Sequence, residues 1–266
     1  MSLKFYPEEH KYIDTDNPEK QWISVTRLVE KFVEPFDEVK IAEKCSKNKK
    51  SKWYKMAPED IIRIWNNENK RSTELGTWYH EQRENDVLNC NTITRNGKEL
   101  QIINGSYEDG IKIAPSQILT EGIYPEHFVY LDSVGICGQS DWVEVCDGKV
   151  YILDYKSNKH IDTESYVDFK GRHKMMLKPL KHIQDCNFYH YALQLSTYMY
   201  IVLRHNPQYE PGSLKIQHVS FKQLGEDKYG YPILERDTNG DPIVSETTIY
   251  ELPYLKKEVK LMIDNI

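Results

Sequence analysis

Long apolar runs are missing from this chain. No stretch of the sequence approaches the roughly 18–20 consecutive apolar residues that a membrane span requires. The first residues, Met1-Ser2-Leu3-Lys4-Phe5-Tyr6-Pro7, show neither an apolar signal core nor an Arg-rich transit pattern. A cytoplasmic protein, not secreted and without a membrane partner, is the expectation. Cysteine is scarce and scattered: Cys45, Cys90, Cys137, Cys146 and Cys186 form no C-x-x-C pair. That spacing suits neither structural zinc nor an iron–sulfur cluster, and reduced thiols are expected. There is no G-x-x-x-x-G-K-[ST] loop, which excludes the phosphate cradle of a helicase motor. A basic excess is also lacking. With 35 Lys and Arg against 41 Asp and Glu, the net charge of −6 argues against indiscriminate nucleic-acid binding.

What charge there is lies unevenly. Lys44 to Lys55 holds six lysines (Lys47, Lys49, Lys50 and Lys52 among them) and no acid, with Trp53 and Tyr54 inside the run. Lys170 to Lys181 holds Lys170, Arg172, Lys174, Lys178 and Lys181, again with no acid. The remainder is strongly acidic. A lone basic run is most simply a solvated surface, but two such runs, one carrying aromatics, are candidates for gripping a phosphate backbone.

At 266 residues the chain can bury one substantial core. Periodicity and turn signals predict a hairpin near Phe5–Tyr12 and Trp22–Val25, then a helix over about Val25–Phe32 capped by Ser24. A helix starts at Pro58 and another covers about Thr73–Leu88. Asn89–Gln117 reads as irregular structure or small strands. A three-strand meander follows over about Glu126–Lys156, then a helix near Asn187–Leu203 and a strand at Leu214–Phe221. A hairpin turning at Asn239-Gly240 leads to an amphipathic helix over Leu252–Ile266. One α/β domain is expected, a central mixed β-sheet flanked by helices with a helical N-terminal part. It divides at about residues 1–75, 76–221 and 222–266.

The densest chemical signal lies in the meander. Asp147-Gly148 is a strong two-residue hairpin turn. Folding about it pairs Val145 with Val150, Val143 with Ile152 and Asp141 with Asp154. Opposed like charges repel, so this pairing makes sense if a cation lies between the carboxylates. Alternation puts Lys156 on the face of Asp154 and turns Tyr155 away. Glu126, on the preceding strand, is a candidate third carboxylate and Glu121 competes with it; alone, either reads as an exposed strand residue. His80 and Glu84 share a helix face. Tyr191, Gln194 and Tyr198 share another, where a buried amide needs partners.

The order His80, Glu126, Gly138-x-x-Asp141, Asp154-x-Lys156, Gln194-x-x-x-Tyr198 resembles the RecB-like branch of the PD-(D/E)xK nuclease superfamily. It looks more like the phage-type and mitochondrial genome maintenance exonucleases than like the restriction enzymes. Leu75-Gly76-Thr77-x-x-His80-Glu81, Ile152-Leu153-Asp154-Tyr155-Lys156-Ser157 and Tyr191-x-x-Gln194-Leu195-x-x-Tyr198 carry the likeness over roughly residues 75–200. The resemblance implies a restriction-endonuclease-like core and an Mg²⁺ or Mn²⁺ ion held by His80, Glu126, Asp141, Asp154 and the Tyr155 carbonyl. Lys156 would serve the attacking water, and Gln194 and Tyr198 would order the site. The substrate implied is DNA, single-stranded or frayed, degraded from an end in replication, recombination or end processing, with proteins of those processes as partners. Some relatives hold an iron–sulfur cluster; the cysteines for one are missing here, so none is expected. A structure-specific endonuclease, a silent nucleic-acid-binding module and a structural protein with an acidic salt-bridge network are the competing readings.

Overall fold

The computed structural model describes residues 3–7, 9 and 11–266. In chain order the elements are β1 (Leu3–Tyr6), β2 (Lys11–Asp14), β3 (Ile23–Ser24), α1 (Val25–Glu30), α2 (Glu38–Lys47) and α3 (Pro58–Leu88). Then come β4 (Thr92–Arg95), β5 (Lys98–Gln101), β6 (Ser106–Glu108), β7 (Ile111–Ile113), β8 (Gly122–Leu131), β9 (Ile136–Cys146) and β10 (Lys149–Lys156). The chain closes with α4 (Asn187–His205), β11 (Glu210–Phe221), β12 (Gln223–Glu226), β13 (Pro232–Leu234), β14 (Val244–Leu252) and α5 (Lys256–Ile263).

The architecture is mixed α/β. The main sheet runs β14-β11-β10-β9-β3, with β8 also paired to β9. β10 and β11 are parallel and joined through α4, while β8, β9 and β10 form an antiparallel meander. One face of the sheet is closed by α4. Ala192, Leu193, Leu195, Met199 and Val202 meet Val143, Val145, Val150, Ile152 and Ile216 there, and Val259 and Met262 of α5 join them. On the other face Tyr79 of α3 packs with Tyr155, Val219 and Phe221. No helix among the described residues is long and apolar enough to cross a membrane.

Several expectations need correction. The first hairpin is β1 with β2, whereas β3 leaves it and pairs in parallel with β9. The N-terminal part is not a helical unit: its first 24 residues hold three strands and α1 spans six residues. Ser24 does cap α1, its Oγ accepting from the Arg27 amide at 3.2 Å. The two helices expected between residues 58 and 88 are one, of 31 residues. Its middle, Asn66–Ser72, lacks apolar periodicity but also lacks Gly and Pro, and a Glu68–Arg71 pair at 2.7 Å supports it locally.

The Asn89–Gln117 stretch holds two hairpins, β4–β5 and β6–β7. Asn96-Gly97 and Asp109-Gly110 turn them, all four residues with positive φ; these dipeptides were the available signal. At the C-terminus Leu252 ends β14, and α5 begins only at Lys256.

Candidate metal centre

The site arises where β9 loses a neighbour. On one edge β9 is paired with β8. On its other edge β3 takes Ile136 and Cys137, and β10 takes Trp142 to Cys146. Gly138 to Asp141 therefore have no strand partner on that edge among the described residues. The hairpin register is the expected one, Val145 with Val150 and Val143 with Ile152, but the ladder stops at Trp142 with Leu153, one step before Asp141 with Asp154. There the Tyr155 amide donates to Asp141 Oδ2 at 2.7 Å instead.

On the β8 side the register likewise skips the step at which Glu126 would face Asp141. Glu126 has a φ of +46°, uncommon for a residue with a Cβ. Around it the strict alternation breaks, since Tyr124 and Val129, five residues apart, both join the core cluster under α4. Three acids on three adjacent strands thus stand in one row, and the backbone departs from regular pairing where like charges would meet. Glu121 is elsewhere. It ion-pairs with Lys98 and accepts the Asp147 amide at the far turn of the hairpin, which leaves Glu126 as the third carboxylate of the row.

α3 brings His80 over this row. Its Nδ1 lies 3.3 Å from Asp141 Oδ2 and its Nε2 lies 2.9 Å from the Tyr155 carbonyl. Two acceptors on one ring call for the doubly protonated form. Burial works against that charge, but the Asp141 hydrogen bond and the charges of Asp141 and Asp154 outweigh it and lift the His80 pKa to about 9. Burial, then the charge of Asp141, pushes Glu126 up to about 7 and Asp154 up to about 6. Burial would raise Asp141 too, yet the His80 hydrogen bond holds it below the usual range.

Lys156 ion-pairs with Asp154 and sits 5.0 Å over the Tyr191 ring. Burial disfavours its charge, but Asp154 and Asp141 raise its pKa overall. From α4, Gln194 Nε2 donates to the Tyr198 hydroxyl at 3.3 Å. Gly138 is required here: a Cβ on it would lie 3.0 Å from Tyr198 Cε1.

These residues line one cleft of about 880 Å³, together with Arg27, Glu30, Glu81, Glu84 and Gln139. One ligand atom each from His80, Glu126 and Asp141 fall within 4.8 Å of one another. Asp154, paired with Lys156, lines the same cleft, and the Tyr155 carbonyl faces His80. No protein-family model matches the chain, and no curated protein matches it. The reading of the site therefore rests on its residues.

Sequence reasoning missed Lys112. This β7 residue is 3 % exposed. Its Nζ donates to the Glu126 carbonyl and, at 2.9 Å, to Gln139 Oε1. Burial lowers its pKa. A lysine on a separate small sheet thus clamps the backbone at the one strained residue of the row. Lys112→Met is expected to leave the fold in place and to weaken Mn²⁺ binding about tenfold, the lower end of the usual second-layer effect. Circular dichroism and calorimetric titration would check it.

The basic segments lie apart from the site. No residue of Lys44–Lys55 or Lys170–Lys181 lines the cleft. Lys47, Lys49, Lys50 and Lys52 are exposed, and Lys52 donates to the Tyr229 carbonyl. Arg172 pairs with Asp168 and Lys174 with Asp185, while Lys170, Lys178 and Lys181 are exposed. The place expected for Trp53 on a surface that grips nucleic acid needs correction. It is 6 % exposed, buried with Ala42, Ile61 and Trp65. Tyr198 is buried as well. Tyr54 of the first basic run is exposed, as are Phe36, Tyr107, Tyr166 and Phe169, which carry no motif that would have marked them.

Proposed function

We propose that the protein is a divalent-metal-dependent nuclease that hydrolyses DNA phosphodiester bonds and works from a free end. The observation that carries this reading is the row of carboxylates under His80, in which one ligand atom each from His80, Glu126 and Asp141 lies within 4.8 Å of the others. Such a row is unfavourable by itself and fits an ion that takes oxygen ligands. Mg²⁺ and Mn²⁺ both qualify, and the imidazole favours Mn²⁺. His80, Glu126 and Asp141 would hold the ion, with Asp154 and the Tyr155 carbonyl beside them. When bound, it would offset the acids and acidify a water.

The chain's own groups supply the rest. Ligation through His80 requires loss of a ring proton and of one of its two present hydrogen bonds. Lys156, kept charged by Asp154, would orient the attacking water and stabilise negative charge growing on the phosphoryl oxygens. Gln194 and Tyr198 brace the cleft wall opposite α3, and Lys112 holds Glu126 in its unusual backbone conformation. The motif order supports placing the chain with the RecB-like PD-(D/E)xK nucleases and their restriction-endonuclease-like core. Preference for single strands rests on that likeness and on the exposed Tyr54, because Trp53 and Tyr198 are buried and not free to stack bases. Replication, recombination or end processing, in the cytoplasm, is the setting the likeness supports.

The test compares a linear single strand with a covalently closed circle of the same sequence in Mn²⁺. Loss of the line with the circle spared is expected. Equal loss of both would make the enzyme an endonuclease, and survival of both would remove the nuclease reading.

A further inference from the structure

Beyond the acidic cleft, His80 and Lys156 also form part of the wall of a second opening. It is a recess of about 230 Å³, lined in addition by Ser72, Thr73, Tyr155, Ser157 and Asn158. The two openings differ sharply in charge. Glu30, Glu81, Glu84, Glu126, Asp141 and Asp154 all line the cleft, whereas no carboxylate lines the recess. Its walls offer hydroxyls, an amide and the Lys156 ammonium.

The hydroxyls are available. Neither Ser72 nor Ser157 hydrogen-bonds through its side chain to another described residue. Thr73 makes only a bond back to the Asn69 carbonyl, at 2.9 Å. Asn158 is held in place by both ends: its Nδ2 donates to the Tyr191 hydroxyl at 2.7 Å and its carbonyl faces His218 Nε2 at 2.6 Å. Gly76, on the cleft side, lets α3 pass close to the end of β10: a Cβ there would lie 3.3 Å from Ser157 Oγ and would press that hydroxyl aside.

A nucleic-acid strand carries one negative charge per nucleotide. In the acid-lined cleft that charge is tolerated only where a cation offsets it; the next phosphate along is repelled unless it finds an acid-free seat. We propose that the recess bounded by Ser72, Thr73, Ser157 and Lys156 is the seat for a phosphate of the bound strand adjacent to the one being cut. Two hydroxyls and an ammonium around a small polar cavity suit the non-bridging oxygens of a phosphate ester. The strand then crosses from the acidic cleft to the recess past His80 and Lys156, the two residues common to both walls. This inference rests on the nuclease reading for its position in the reaction but is read out by binding.

The test is fluorescence anisotropy of a labelled single-stranded decanucleotide in Ca²⁺, with the full chain and three variants. Ser72→Ala combined with Ser157→Ala is expected to weaken binding about tenfold, the loss of one good hydrogen bond to a charged acceptor. Ser157→Glu, which places a carboxylate in the recess, should weaken it further, and Gly76→Ala should fall between wild type and the double variant. Inorganic phosphate, added as competitor, should displace the strand from the wild type more readily than from the double variant. Wild-type affinity in both the double variant and Ser157→Glu would overturn the proposal, whatever the cleavage result. A wild type that binds as described but leaves DNA intact in Mn²⁺ would instead remove the nuclease reading and keep the phosphate seat.

Discussion

Asp154→Asn and Lys156→Gln are each expected to cut the rate of DNA cleavage by about 10²–10³-fold, the cost typical of removing one group aimed at charge that develops in the transition state. Both variants approximate the shape they replace. Asp154 and Lys156 are ion-paired on the face of β10 that looks into the cleft, with Asp154 buried. Losing either therefore leaves its partner without its counter-charge. Removing one half of a buried pair is destabilising in its own right, so each variant is to be melted alongside wild type. Cleavage lost while the melting temperature stays close to wild type marks a catalytic defect. DNA binding should persist in Asp154→Asn and weaken in Lys156→Gln, which removes the ammonium of the phosphate seat. Undiminished cleavage by Lys156→Gln would take the lysine out of the reaction.

The second large effect falls on stability. An ion that binds the folded chain at a hundred times its dissociation constant adds about 2.7 kcal/mol, which in a chain of this size raises the melting temperature by roughly 5 °C. Wild type is expected to show that rise with Mn²⁺ relative to EDTA. Glu126→Gln should lose the rise. It should also melt no lower than wild type in EDTA, because it removes one of three like charges converging near His80. The reading in which the acids form only a structural salt-bridge network expects the reverse, no effect of Mn²⁺ and a lower melting point for Glu126→Gln. Differential scanning calorimetry with and without the ion separates the two.

Much of the site was legible in the order of residues. Asp147-Gly148 is a turn that admits few alternatives, and once it is placed the register of β9 against β10 follows by counting. The apolar residues 143, 145, 150 and 152 then mark which face is buried. Helical spacing alone pairs His80 with Glu84 and Gln194 with Tyr198, and the motif order is what marks them for the site.

The rest depended on contacts that no local pattern encodes. Glu126 faces the site through a positive φ and a broken alternation, and strand periodicity assumes neither. Lys112 reaches Glu126 from a separate small sheet, and its two acceptors lie 14 and 27 residues away. Trp53 looked like part of a basic surface because its neighbours in sequence are lysines, yet α2 and α3 enclose it. Periodicity divides the single helix α3 in two because its central turns face solvent and show no apolar stripe. For Glu126, Lys112 and Trp53 tertiary packing overrides a correct local observation.

The most direct measurement incubates the purified chain with an end-labelled linear single strand in Mn²⁺, in Mg²⁺ and in EDTA, with Asp141→Asn in parallel. Asp141 stands at the centre of the site: it accepts from the Tyr155 amide, pairs with His80 and lies on the strand between those of Glu126 and Asp154. Release of labelled nucleotides is expected from the wild type in either ion, at least as fast in Mn²⁺ as in Mg²⁺, with none in EDTA and none from Asp141→Asn. Cleavage that continues undiminished in EDTA, or that Asp141→Asn retains, would contradict the assignment of this row of acids as the catalytic metal site.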